Sequence, residues 1–135
     1  MTTLSDTELL DAARRAAEHA YVPYSSFPVG AAVLTDDGTL FTGCNVENAA
    51  YGEAICAERN AVTTMIAAGE SPKVATVAVI GLKAAPCWPC GACRQVLREF
   101  HCDRVIVEGE DGQPVSLPFD QILPNSFGPD ALEAR

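Results

Sequence analysis

Apolar positions recur along the chain in two rhythms, and each change of rhythm marks an element. From residue 5 to residue 20, Leu9, Leu10, Ala13, Ala16, Ala17 and Ala20 fall at helical spacing. Ser5 with Glu8 three residues later is a capping-box pattern, which satisfies free backbone N–H groups and starts a helix there. Pro23 and Pro28 bracket an irregular segment, Tyr24-Ser25-Ser26-Phe27. Val29 to Thr35 then reads as a strand, Asp36-Asp37-Gly38 as a hairpin turn, and Thr39 to Cys44 as the returning strand. Residues 45–53 are polar and contain glycine, hence a loop. A second helix is expected from Ala54 to Ala68, stopped by Gly69 and Pro72. Lys73 to Gly81, rich in Val, Ala and Ile, suits a central strand buried on both faces. Pro86, Pro89 and Gly91 break the chain before a third helix from Gly91 to Phe100. Arg104 to Glu108 is a short strand, Asp111-Gly112 a turn, and Val115 to Leu117 a last short strand. Leu123 to Pro129 is irregular. Helices interleaved among strands, with no repeat or linker, predict one α/β sandwich domain over residues 1–135.

Composition adds exclusions. At 135 residues, 48% hydrophobic and 20% charged, the chain can bury a core without disulfide staples. No apolar run approaches the ~20 residues that cross a bilayer. Met1 to Asp6 has neither a basic nor an apolar region, so no signal peptide and a cytoplasmic protein are expected. The net charge is −9, and nine Lys and Arg are spread without a cluster. Polynucleotide binding rests on neutralising phosphates, so that balance favours a small-molecule partner over nucleic acid. Six cysteines in a cytoplasmic chain point to metal or catalysis rather than to bridges.

Their spacing carries the chemistry. Cys56-Ala57-Glu58-Arg59 and Pro89-Cys90-Gly91-Ala92-Cys93-Arg94 both fall at expected helix starts. Cys90 and Cys93 share one face of a first turn, and a helix N-terminus favours thiolate over thiol. Two such ends meeting offer three thiolates to one soft-ligand metal. Catalytic zinc keeps three protein ligands and leaves the fourth position to water, with a nearby carboxylate, here Glu58, to move protons. The alternative is a closed structural site with Cys87 as fourth ligand, and hence a binding module without chemistry. A three-thiol site with a non-ligand Glu is also the constellation of zinc nucleobase deaminases.

Beyond those motifs, five blocks match in order. They are Pro23 to Ala32, Gly43 to Gly52, Ile55 to Arg59, Pro89 to Val96, and Leu123 to Pro129. In these the chain resembles the small homotetrameric cytidine deaminases over nearly its whole length. The resemblance implies a three-layer α/β/α sandwich with a mixed sheet of about five strands. It implies one zinc per subunit on Cys56, Cys90 and Cys93, and Glu58 as proton shuttle. It also implies Phe27 stacking near the base, and Asn45 and Glu47 bonding the ribose hydroxyls. Ala49, Tyr51 and Phe127 would help build a neighbouring subunit's site in a homotetramer. The implied reaction is hydrolytic deamination of cytidine and deoxycytidine, in pyrimidine salvage.

Alternatives stand beside that reading. Another aminopyrimidine nucleoside such as blasticidin S is a second substrate class, and a polynucleotide-editing deaminase is disfavoured by the charge. The chain departs from the family at Cys87-Trp88, and at Glu53, where a carboxylate precedes Cys56. Arg59, three residues after Cys56, is expected to withdraw charge from the thiolates. Cys44 and Cys102 read as small buried hydrophobes, and His19 and His101 as surface or capping residues. Phe27 has core filler as its plain alternative. For Asn45 and Glu47 it is turn residues, and for Arg94 a solvated helix residue against a thiolate partner.

Overall fold

The computed structural model describes residues 4–70 and 72–133; the leader reading of Met1 to Thr3 lies outside them. Helix α1, Asp6–Ala17, begins with the capping box the sequence spells out: Ser5 accepts from the Glu8 N–H while Glu8 accepts from the Ser5 N–H. It ends at Ala17 rather than at residue 20. Glu18 caps it, and the chain turns so that Tyr21 can bridge to Val46.

Strands β1 (Val29–Thr35) and β2 (Leu40–Cys44) form the expected hairpin. Helix α2 is Ala57–Ala67, followed by β3, Val74–Gly81. Helix α3 is Gly91–Glu99, followed by β4 (Arg104–Glu108) and β5 (Pro114–Pro118). Two short helices, α4 (Phe119–Ile122) and α5 (Pro129–Glu133), occupy a stretch expected to be irregular at its centre. The sheet order is β2-β1-β3-β4-β5. Among the described strands only β3 and β4 pair in parallel, so the five-stranded sheet is mixed as expected.

Alternation along the strands divides the core between the two faces. Ala32, Ala78, Ile80 and Ile106 pack under Leu9, Leu10 and Ala13 of α1. Ala31, Val33, Val77, Val79, Val105 and Val107 face the other way, against Ala61, Val62 and Met65 of α2 and Leu97 of α3. The result is three layers, helix, sheet and helix. Two glycines let the helices sit down. A Cβ on Gly30 would lie 1.9 Å from the Ala13 carbonyl oxygen of α1, and one on Gly43 would lie 2.5 Å from the Ala61 nitrogen of α2. No described helix is long and apolar enough to cross a membrane.

Candidate metal centre and catalytic cleft

β1 runs antiparallel to both β2 and β3, so β2 and β3 end at the same edge of the sheet. At that edge Val29 pairs with Gly81 and Gly30 with Cys44. The chain leaves β2 for α2 and β3 for α3, and both helices pack on one face. Their N-termini therefore converge at the carboxyl ends of two strands, a common place for a binding crevice in α/β folds.

Cys56 is the N-cap of α2 and Cys90 the N-cap of α3. Both have extended backbone, and neither spends its side chain on capping. Cys93 is buried in the first turn of α3. The Cys56 and Cys90 sulfurs stand 3.7 Å apart, and all three sulfurs lie within 4.8 Å of one another. A tetrahedral zinc with Zn–S of about 2.3 Å sets its sulfurs ~3.8 Å apart, so donor type and spacing both fit that metal. Three thiols this close cannot all shed protons unaided. The Cys93 thiol hydrogen bond, helped by Cys90 and the Arg59 charge, draws Cys56 down to about 6. The same contact pushes Cys93 far up.

Cys87 does not join the cluster, so the closed four-thiol site is not formed among the described residues. Its thiol instead lines a cleft of about 160 Å³ together with Cys56, Cys90, Glu58, Asn45 and Trp88. Burial pushes the Cys87 thiol up. Glu58, in the first turn of α2, is only 4% exposed. That burial, and then the neighbouring Cys56 charge, pushes its carboxyl up to about 7.

Asn45 and Glu47 hold the segment that precedes β1. Asn45 accepts from the Val29 N–H at 2.9 Å and donates to the Phe27 carbonyl at 3.0 Å. Glu47 accepts from the Tyr24 and Ser25 N–H groups at 3.0 and 3.1 Å, and from the Ser25 hydroxyl. The Ser25 hydroxyl, with those N–H groups, holds the Glu47 carboxyl below its usual range. Glu47 and Tyr51 line a second hollow, of about 350 Å³, with Tyr24, Ser25, Asn48 and Ala54. The Tyr51 ring meets Tyr24 edge-on, with centroids 5.7 Å apart. Half-buried Phe27 and exposed Ala49 and Phe127 line neither space. Tyr51 is 76% exposed and Phe127 62%.

Other expectations resolve by placement. Cys102 is buried, as expected, and its thiol is pushed up to about 12 by burial, whereas Cys44 is only half-buried. His19 and His101 are exposed, and His101 takes the left-handed conformation just past α3. Glu53 is exposed in a short 3-10 turn over Tyr51–Glu53. Arg94 follows neither reading offered for it. Its Nε donates to the Pro89 carbonyl and its guanidinium nitrogen to the Ile122 carbonyl, each at 2.7 Å. Those acceptors are backbone atoms, which no side-chain motif announces.

Both the fold and the sequence around the thiol cluster match known proteins. Residues 4–109 match the model of the cytidine and deoxycytidylate deaminase zinc-binding region. A cytidine deaminase of Sporosarcina psychrophila is 41% identical over 128 residues, covering 93% of each chain. One from Mycobacterium tuberculosis is 43% identical over 120 residues, covering 89% of this chain and 87% of its own. The crystal structure of cytidine deaminase from Burkholderia pseudomallei shares the fold with a TM-score of 0.85 at 44% identity. It covers 92% of this chain and 100% of its own. The chain belongs to the cytidine deaminase family.

Proposed function

We propose that this protein hydrolyses the exocyclic amine of cytidine and deoxycytidine, giving uridine or deoxyuridine and ammonia. The observation that carries the reading is a buried carboxyl, Glu58, in the same cleft as two of three converging thiols. The named activity of relatives 41% and 43% identical favours it over blasticidin S and over a structural zinc module. Cys56, Cys90 and Cys93 hold one zinc per subunit. Zinc bound there supplies a Lewis acid that makes water a usable nucleophile near neutral pH.

The chain's own residues do the rest. Glu58 accepts one proton of the attacking water and delivers it to the ring nitrogen, then takes the second from the new hydroxyl on the ring carbon and passes it to the departing amine. Its burial keeps bulk water from competing for that proton. Arg59 withdraws charge from the Cys56 thiolate, consistent with its part in lowering that thiol. Phe27 stacks near the base, while Asn45 and Glu47 meet the ribose hydroxyls from the positions their backbone clasps fix. Ala49, Tyr51 and Phe127 complete a neighbouring subunit's site in a homotetramer. The exposure of two large apolar side chains, Tyr51 and Phe127, supports that arrangement. The 135 residues act as one catalytic domain, in the cytoplasm, in pyrimidine salvage.

The test is ammonia release from cytidine, deoxycytidine, CMP and blasticidin S by zinc-loaded protein, beside Glu58→Ala. Release from the two nucleosides alone, lowered at least about 100-fold in the variant with zinc retained, is expected. No release from any of the four would leave a zinc module.

A further inference from the structure

The outer face of α3 is unusual in where its polar side chains go. Arg94, Gln95 and Arg98 all donate to the C-terminal segment. Arg94 donates to the Ile122 carbonyl at 2.7 Å, and Gln95 to the Phe127 carbonyl at 2.9 Å. Arg98 donates to the Ser126 hydroxyl at 2.9 Å and to Asp130 at 2.6 Å. Gly128 makes room for that last group, since a Cβ there would lie 2.3 Å from the Arg98 guanidinium carbon.

Arg94 differs from the other two because its second hydrogen bond reaches away from the C-terminal segment. Its Nε donates to the Pro89 carbonyl at 2.7 Å. That carbonyl belongs to the peptide unit entering Cys90, and it lies outside the helix, whose first bond runs from the Arg94 N–H to the Cys90 carbonyl. Arg94 thus ties α3 to the Pro89–Cys90 peptide plane, and that plane sets the direction from which the chain enters the Cys90 N-cap. At the other end, Ile122 closes the four-residue α4, and helix-end carbonyls need an outside donor. A planar guanidinium can hold two carbonyls at once, which a lysine ammonium cannot reproduce in the same fork.

We propose that Arg94 is a positioning residue that locks the Cys90 ligand and the C-terminal segment bearing Phe127 into one unit. The inference takes Cys90 as a zinc ligand from the proposed function. Its signature is a loss of zinc retention together with a loosened segment when the guanidinium is removed.

The experiment compares Arg94→Gln and Arg94→Lys with Arg98→Gln, which loosens the same segment without touching the Cys90 peptide. Two readouts need no turnover: the rate at which zinc passes to a chromophoric chelator, and amide exchange over residues 122–133. Both Arg94 variants should release zinc about tenfold faster or more, with faster exchange over that segment. Arg98→Gln should speed exchange alone. Wild-type release from Arg94→Gln, or equal acceleration by Arg98→Gln, would overturn the proposal. In the wild-type protein, the Arg94 Nε–H should exchange slowly by NMR. Exchange at the rate of an exposed arginine would overturn it even if neither variant folds. A protein that binds no zinc at all would sink the functional reading instead.

Discussion

Glu58 and Arg59 are neighbours on α2 in different surroundings, one buried in the cleft and the other lining the groove between α2 and α3. Arg59→Gln keeps donors but no charge, so turnover should fall while zinc content holds; steady-state rates beside metal analysis check it. Cys87 is the residue on which metal and cleft roles diverge. Its thiol lies outside the metal cluster but lines the cleft. Cys87→Ala should therefore keep one zinc per subunit, whereas Cys90→Ala should lose it, as metal analysis after gel filtration will read. The meeting of Cys56, Cys90 and Cys93 beside Glu58 was legible in the sequence because it depends on residue type and short spacing. Arg94 was not, because its acceptors are carbonyls 5 and 28 residues away that only the fold brings together.

At the scale of elements, the close approach of helix to sheet rests on missing side chains. Gly30→Ala would drive a Cβ into the backbone of α1, and the cost should be about 1–3 kcal/mol or more in urea unfolding. Gly52→Ala meets nothing within 4 Å and should leave stability nearly unchanged in the same measurement. The β1–β2 hairpin was readable from alternation and the turn residues alone. The start of α2 was not: Ala54 and Ile55 have helical propensity, yet Ile55 exchanges two backbone hydrogen bonds with Val46, each 2.9 Å long. Tertiary pairing overrides local preference there and moves the first helical residue to Ala57, which makes Cys56 the N-cap. α4 and α5 span four and five residues, too few for a helical period to be seen.

At the scale of the whole molecule, large apolar side chains stand exposed, among them Tyr51 and Phe127, which the resemblance assigns to a neighbouring subunit's site. Tyr21, Tyr24, Tyr51 and Phe127 are all more than half exposed in the lone chain. Sedimentation should show a tetramer. Phe127→Ala should raise KM more than it lowers kcat, since the side chain is assigned to binding in a neighbour's site and not to proton transfer. A monomer with full activity would refute the shared site. Charge composition helped only to set polynucleotides aside; it held no information about assembly.

Cys56 and Cys90 are 34 positions apart along the chain. A metal joining them rivets shut a loop that contains all of α2 and β3. Treated as a permanent cross-link, a closure of that length is worth about 3–4 kcal/mol against the unfolded chain. The rivet hole exists only once β3 lies beside β1 and the chain has turned back into α3. Before that crossover is made, the chain offers a metal at most the Cys90 and Cys93 pair of one helical turn, and the third thiol arrives only with the fold.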